Sequence, residues 1–121
     1  MKIEQIYTGC LAQGAYYIVS EKEAAIIDPL RETKPYIDRL EKDGVKLKYI
    51  FETHFHADFV SGHLDLSKKT GAPIVYGPTA EPDFEAIIAE DNQVFELGDI
   101  KIKVLHTPGH TMESSTFLLI D

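Results

Sequence analysis

Two distant stretches of this chain have to meet. Phe51-Glu52-Thr53-His54-Phe55-His56-Ala57-Asp58-Phe59 packs two imidazoles and a carboxylate into one short segment, and 54 positions after His56 comes Thr107-Pro108-Gly109-His110-Thr111, a third imidazole on a rigid turn. Histidines two residues apart cannot share a helical face. They converge on one point only from an irregular loop, such as one leaving the end of a strand. A single histidine is usually a hydrogen-bonded loop residue, but three with an aspartate at this spacing point to a metal pocket. The fold must therefore carry both loops to the same place.

The 121 residues suit one domain, 1–121, and 44% hydrophobic residues with six Phe and six Tyr supply a modest core. The longest apolar runs, Ala24 to Ile27 and Phe117 to Ile120, are far shorter than a bilayer requires, and Met1-Lys2-Ile3-Glu4 is not the start of a secretory leader. The expectation is a soluble cytoplasmic protein with no membrane partner. A single cysteine, Cys10, can form no disulfide within the chain and reads as a small buried apolar residue in a reducing compartment. The net charge of −8 is spread along the chain and argues against nucleic acid as a partner, which would call for clustered Lys and Arg.

Alternation and turn residues predict strands over Lys2 to Thr8, Ala15 to Ser20 and Glu23 to Asp28, the latter two joined by Glu21-Lys22. Thr33 to Asp43, with Pro35 in its first turn and Gly44 behind it, predicts an amphipathic helix carrying Tyr36, Ile37 and Leu40. Leu47 to Phe51 should be the strand that delivers the His54 loop, and Gly62 to Thr70 a short helix leaving it. Ala72 to Tyr76 reads as a strand and Pro78 to Glu90 as a helix, through Phe84, Ile87 and Ile88. Gln93 to Leu97 and Ile100 to Leu105 flank Gly98-Asp99, a two-residue hairpin turn. Lys46, Lys48, Lys101 and Lys103 should mark the wet sides of strands, and Ser115 to Ile120 forms the last one.

Thr53-His54-Phe55-His56-Ala57-Asp58 with Thr107-Pro108-Gly109-His110-Thr111 resembles the metal-binding signature of the metallo-β-lactamase superfamily. The longer string Glu52 to His63, ending Phe59-Val60-Ser61-Gly62-His63, and Gly9-Cys10-Leu11-Ala12 resemble one branch: persulfide dioxygenases and the lactamase-fold proteins often fused to rhodanese domains. No rhodanese domain is expected within residues 1–121. The resemblance implies an αββα sandwich of two mixed sheets with helices outside and metal at one sheet edge. It covers the N-terminal half of that fold, so the expected class is α/β (α+β), a mixed β-sheet with helices on its outer face.

The resemblance also carries His54, His56 and His110 onto the metal pocket, with the dioxygenase branch leaving open direct ligation by His54 and His110 alone and His56 close by. Asp58 matches the motif aspartate. It is the catalytic candidate, expected to hydrogen-bond beside the metal. Dinuclear members have a histidine where this chain has Phe59, so one divalent metal ion is expected, Fe(II) ahead of Zn(II). The implied substrate is a low-molecular-weight thiol persulfide. The alternatives are a zinc-dependent thioester hydrolase resembling hydroxyacylglutathione hydrolase and a non-catalytic metal-binding half-domain.

The chain ends at Asp121, before the Gly-Asp pair that supplies a metal carboxylate in the superfamily, and Asp121 does not match that pair. The isolated chain is thus expected to hold metal weakly and to need a homo-oligomer or a complementing C-terminal half to cover the inner side of its sheet. Three other residues carry less weight. His106 is expected to bridge strand and Pro-Gly turn, His63 to open the helix after the first metal loop, and Asp28 to end a strand beneath the His54 loop.

Overall fold

A computed structural model describes residues 2–7, 14–29, 34–52, 63–77, 86–106 and 115–120. The first strands form an antiparallel meander: β1 (Lys2–Tyr7), β2 (Gly14–Ser20) and β3 (Glu23–Ile27). From β3 the sheet continues in parallel through β4 (Lys46–Glu52), β5 (Ile74–Tyr76) and the two-residue β6 (Ile87–Ile88), in the order β1-β2-β3-β4-β5-β6. Parallel neighbours need long crossovers. Helices α1 (Lys34–Asp43) and α2 (His63–Thr70) lie in the crossovers that precede β4 and β5. A second, antiparallel sheet follows, β7 (Val94–Leu97), β8 (Ile100–His106) and β9 (Ser115–Ile120), in that order. The mixed sheet with helices on one face agrees with the expected class.

Strand alternation sorts the core into two layers. On one side of the large sheet, Tyr17, Ala24, Ile26, Ile50 and Ile74 pack with Tyr36 and Leu40 of α1 and Leu66 of α2. On the other, Ile18, Ala25, Ile27, Phe51 and Val75 pack against Phe95, Leu97, Ile100, Ile102 and Val104 of the small sheet. The inner face that was expected to await a partner is therefore covered by the chain's own β7–β9. Large apolar side chains are exposed at the outer strands of the large sheet, Ile3, Tyr16, Ile87 and Ile88, and at Val94, Leu118 and Ile120 on the small sheet, where Leu118 and Ile120 stand opposite Lys103 and Lys101.

Helix α1 stops where the sequence says it should. Gly44 adopts φ 63°, its N–H donates to Glu41 O (3.2 Å), and the Val45 N–H donates to Leu40 O (3.1 Å). This paired arrangement satisfies the last carbonyls of the helix and turns the chain into β4. The expected helix over Pro78–Glu90 is corrected for residues 86–90, the part that lies within the described residues. Ile87 and Ile88 instead pair in parallel with Val75 and Tyr76, and the Ala89 N–H donates to Tyr76 O (2.7 Å). Two adjacent β-branched residues fit a pleated edge better than a helix, and the three-residue spacing from Phe84 imitated helical periodicity.

One irregularity sets the phase of β4. Ala24 pairs with Leu47 but Ala25 pairs with Tyr49, so Lys48 is an extra, bulged residue. Leu47 and Tyr49 consequently face opposite layers, although alternation alone would place them together. The freed Lys48 ammonium reaches Glu96 O (3.0 Å) and Glu23 Oε1 (3.4 Å).

The same Glu23 belongs to a latch between the sheets. Its Oε1 accepts from the Gly98 N–H (2.7 Å), which, with Lys48 beside it, holds the Glu23 carboxyl below its usual range. The Ser20 hydroxyl donates to Asp99 Oδ1 and accepts from the Asp99 N–H (3.1 Å). Gly98 has φ 57°, and a Cβ there would lie 2.6 Å from Ser20 Oγ and closer still to the Ser20 carbonyl oxygen. Gly98→Ala should therefore cost more than the ~1–2 kcal/mol of left-handed strain, lowering Tm by roughly 10 °C. Gly44→Ala is the control for thermal unfolding, since it has the same sign of φ and open space around it. Equal losses for the two variants would refute the latch.

Candidate metal centre

His54, His56 and Asp58 lie between β4 and α2, and His110 lies between β8 and β9, all outside the described residues. Phe59 and Cys10 lie outside them as well. The described residues show the frame from which both loops depart. At the end of β4 the Phe51 ring sits 5.0 Å from Phe117 of β9 and 5.5 Å from Phe95 of β7, centroid to centroid, with Tyr49 5.2 Å from Phe95. Phe117 pairs with Val104, and the next two pairs, Leu105 with Thr116 and His106 with Ser115, end the β8–β9 ladder. The first loop thus leaves β4 just past Phe51. The second leaves β8 and re-enters β9 just past Phe117. Packing of these aromatic rings brings to one end of the molecule two segments that are far apart in sequence.

Polar groups fasten both exits. The Asp28 N–H donates to Phe51 O (2.8 Å), and Asp28 itself has φ 52°, a left-handed conformation that Asp tolerates better than most residues. Asp28 thus lies beside the end of β4, as expected. On the other exit, β7 pairing ends at Val94 opposite Lys103; the Asn92 N–H then donates to Val104 O (2.7 Å) and the His106 N–H to Asp91 Oδ1 (2.8 Å). A side-chain carboxylate takes the last ladder position before Thr107-Pro108. Asp91 carried no signal in sequence beyond being a turn-forming residue. His63 is the first residue of α2.

The row above the isoleucines is the feature that sequence reading missed. Ile26, Ile50 and Ile74 are register partners on the helix-facing side of the sheet. Two residues further along β4 and β5 the same face carries Glu52 and Tyr76, which are paired directly, and Asp28 follows the end of β3 beside them. Glu52 is 0% exposed and Tyr76 1%. Burial raises the Tyr76 hydroxyl well above its ordinary pKa, and the nearby Glu52 and Asp28 carboxylates add to the shift.

The profile of the metallo-beta-lactamase superfamily matches residues 8–116. The chain belongs to that superfamily. Among superfamily relatives, hydroxyacylglutathione hydrolase of Pelagibacter ubique (strain HTCC1062) is 34% identical over 109 residues, covering 85% of this chain and 45% of its own length. The chain spans less than half the length of the curated relatives it matches. Of the solved structures, a metallo-beta-lactamase from Staphylococcus aureus subsp. aureus COL is 38% identical with a TM-score of 0.88, over 100% of this chain and 39% of that one. ETHE1 from Myxococcus xanthus is 26% identical with a TM-score of 0.88, over 98% and 54%. The superfamily binds divalent metal, typically zinc. The residues present fit such an ion: imidazole nitrogens and a carboxylate suit zinc or ferrous iron, and the observed frame starts both histidine loops at one end. Among the described residues no helix is long and apolar enough to cross a membrane.

Proposed function

We propose that this chain carries a mononuclear metal site, held by His54, His56 and His110, that serves the oxidation of a low-molecular-weight thiol persulfide. The observation that carries the reading is Phe59. A phenyl ring offers no lone pair where dinuclear members place a histidine, so a second ion would lose a ligand and meet an apolar wall. The string from Glu52 to His63, which resembles the persulfide dioxygenase branch, supports the same reading.

When bound, a ferrous ion would supply a redox-active Lewis-acid centre with open coordination positions. The chain's own groups do the rest. Asp58 would hydrogen-bond beside the metal and orient a ligand or a proton, and Phe59 would offer no ligand to a second ion. The overall balance is persulfide plus dioxygen plus water giving thiol plus sulfite, with the outer sulfur oxidised and dioxygen reduced.

The second reading is a zinc thioester hydrolase, favoured by the name of the curated relatives at 34% and 36% identity. One experiment separates them. The full chain, purified anaerobically, is reconstituted with Fe(II) or Zn(II), its metal counted, and then offered glutathione persulfide with dioxygen or a hydroxyacylglutathione thioester. One equivalent of iron with sulfite formation is the expected result. Two equivalents of zinc with thioester cleavage would overturn it.

A further inference from the structure

The edge of a β-sheet presents a row of unpaired backbone N–H and C=O groups, and soluble proteins blunt it with short strands, charged side chains or a cover. Among the described residues, three of the four sheet edges are blunted in this way. The large sheet ends on one side in β1, which carries Lys2 and Glu4, and on the other in β6, two residues long. The small sheet ends on one side in β7, four residues that include Glu96, and the Lys48 ammonium takes up the Glu96 carbonyl. The fourth edge is β9. Its six residues, Ser115-Thr116-Phe117-Leu118-Leu119-Ile120, contain no charge, proline or glycine, and among the described residues the strand pairs on one side only, with β8. Phe117 and Leu119 pack against the core between the sheets, while Leu118 and Ile120 are 48% and 40% exposed on the outer face.

We infer that the open edge of β9 is an interface for a second copy of this chain, the two β9 strands pairing antiparallel across a twofold axis so that the small sheets join into one. A second copy supplies a strand of the same length that is equally uncharged. Antiparallel pairing across a twofold uses the same strand on both copies and leaves no β9 edge open, so assembly closes at two chains. Cross-strand partners share a face, so the outward Leu118 and Ile120 of one copy meet those of the other in an apolar cluster that neither copy makes alone. Charge does not oppose the pairing. The chain carries −8 overall, but β9 carries none, and opposite its outward Leu118 and Ile120 stand Lys103 and Lys101 of β8, one strand further in. The lysines of the two copies would stand three strand spacings apart, roughly 14 Å, beyond the Debye length of about 8 Å at physiological salt.

The test is the mass of the full 121-residue chain by sedimentation velocity, from about 1 µM to about 1 mM, the range of weak and small interfaces. The expected result is a reversible monomer–dimer equilibrium, with the backbone amides of β9 gaining protection from hydrogen exchange as the dimer forms. Leu118→Glu places a carboxylate opposite Lys103 of its own chain, which suits the folded monomer, but brings two carboxylates together across the pair. Dimerisation should weaken at least roughly tenfold. Val94→Glu is the control. Val94 is 44% exposed and flanks the same Lys103 from β7, so it would matter as much as Leu118 if the copies stacked face to face, and not at all if they join at β9. Weakening by Val94→Glu, or none by Leu118→Glu, overturns the inference. Ile120→Glu, opposite Lys101, takes the place of Leu118→Glu should that variant lose the native far-UV circular dichroism. A chain that stays monomeric over the whole range, or one that grows past two copies, overturns the inference as well.

Discussion

A His110→Ala chain is expected to lose its metal. Structural zinc sites with four donors are worth about 10–16 kcal/mol, so removing one imidazole from a set this small should weaken retention at least roughly a hundredfold. On titration with a weak chelator, the variant should become metal-free at a chelator concentration roughly a hundredfold lower than the native chain does. His106→Ala is the comparison. It lies four residues away, and its backbone N–H, which Asp91 holds, survives the substitution. A His110→Ala chain that keeps its full equivalent, or a His106→Ala chain that loses it, would show that the second loop delivers a different ligand. Because the core layers lie within the two sheets and the helix face, the metal-free variant should keep the native far-UV circular dichroism.

The second large effect is on stability. Phe51→Ala would empty the centre of an aromatic cluster in which Phe51 touches Tyr49, Phe95 and Phe117, the first pair at 5.5 Å between centroids. Buried Phe→Ala substitutions cost about 3–5 kcal/mol, a large share of the ~5–15 kcal/mol that holds a typical domain together. Denaturant titration should show the midpoint falling steeply. Phe51→Leu, which refills most of the volume, should recover over half of the loss. Metal affinity should fall with Phe51→Ala even where the chain remains folded, since this ring sets the distance between the ends of β4 and β9. A loss of under about 1 kcal/mol would mean that the two sheets do not depend on this contact.

The histidine motifs stand out in sequence because metal chemistry constrains residue types in a short window, while His54, His56 and His110 themselves lie outside the described residues. The frame was legible wherever a local rule applied. Gly44 ended a helix, Gly98-Asp99 closed a hairpin, and Ile100, Ile102 and Val104 alternated with Lys101 and Lys103. Position 86–90 failed because an edge strand of two residues is too short to show a period of two, while Phe84, Ile87 and Ile88 matched a helical spacing by coincidence. The Glu52–Tyr76 pair was hidden for a different reason. It exists only through the pairing of β4 with β5, and no window of sequence contains more than one of its members. The cover over the large sheet was misjudged in the same way: β7–β9 were recognised as strands, but their stacking on Phe51 and Val75 is a long-range fact.

The bulged Lys48 gives β4 a point of slack. Were that one residue lost, Leu47 and Tyr49 would become neighbours on a regular strand and would still face the opposite layers they face now, so Ile50, Phe51 and Glu52 would keep their sides. Loss of any one residue from Ile50 to Glu52 would instead turn part of the strand over and present a carboxylate to the aromatic cluster or an aromatic ring to the helices. Over the history of such a sequence, β4 can therefore vary in length at its lower half, at the expense of the Lys48 contacts to Glu23 and Glu96. Its last three residues have no such freedom.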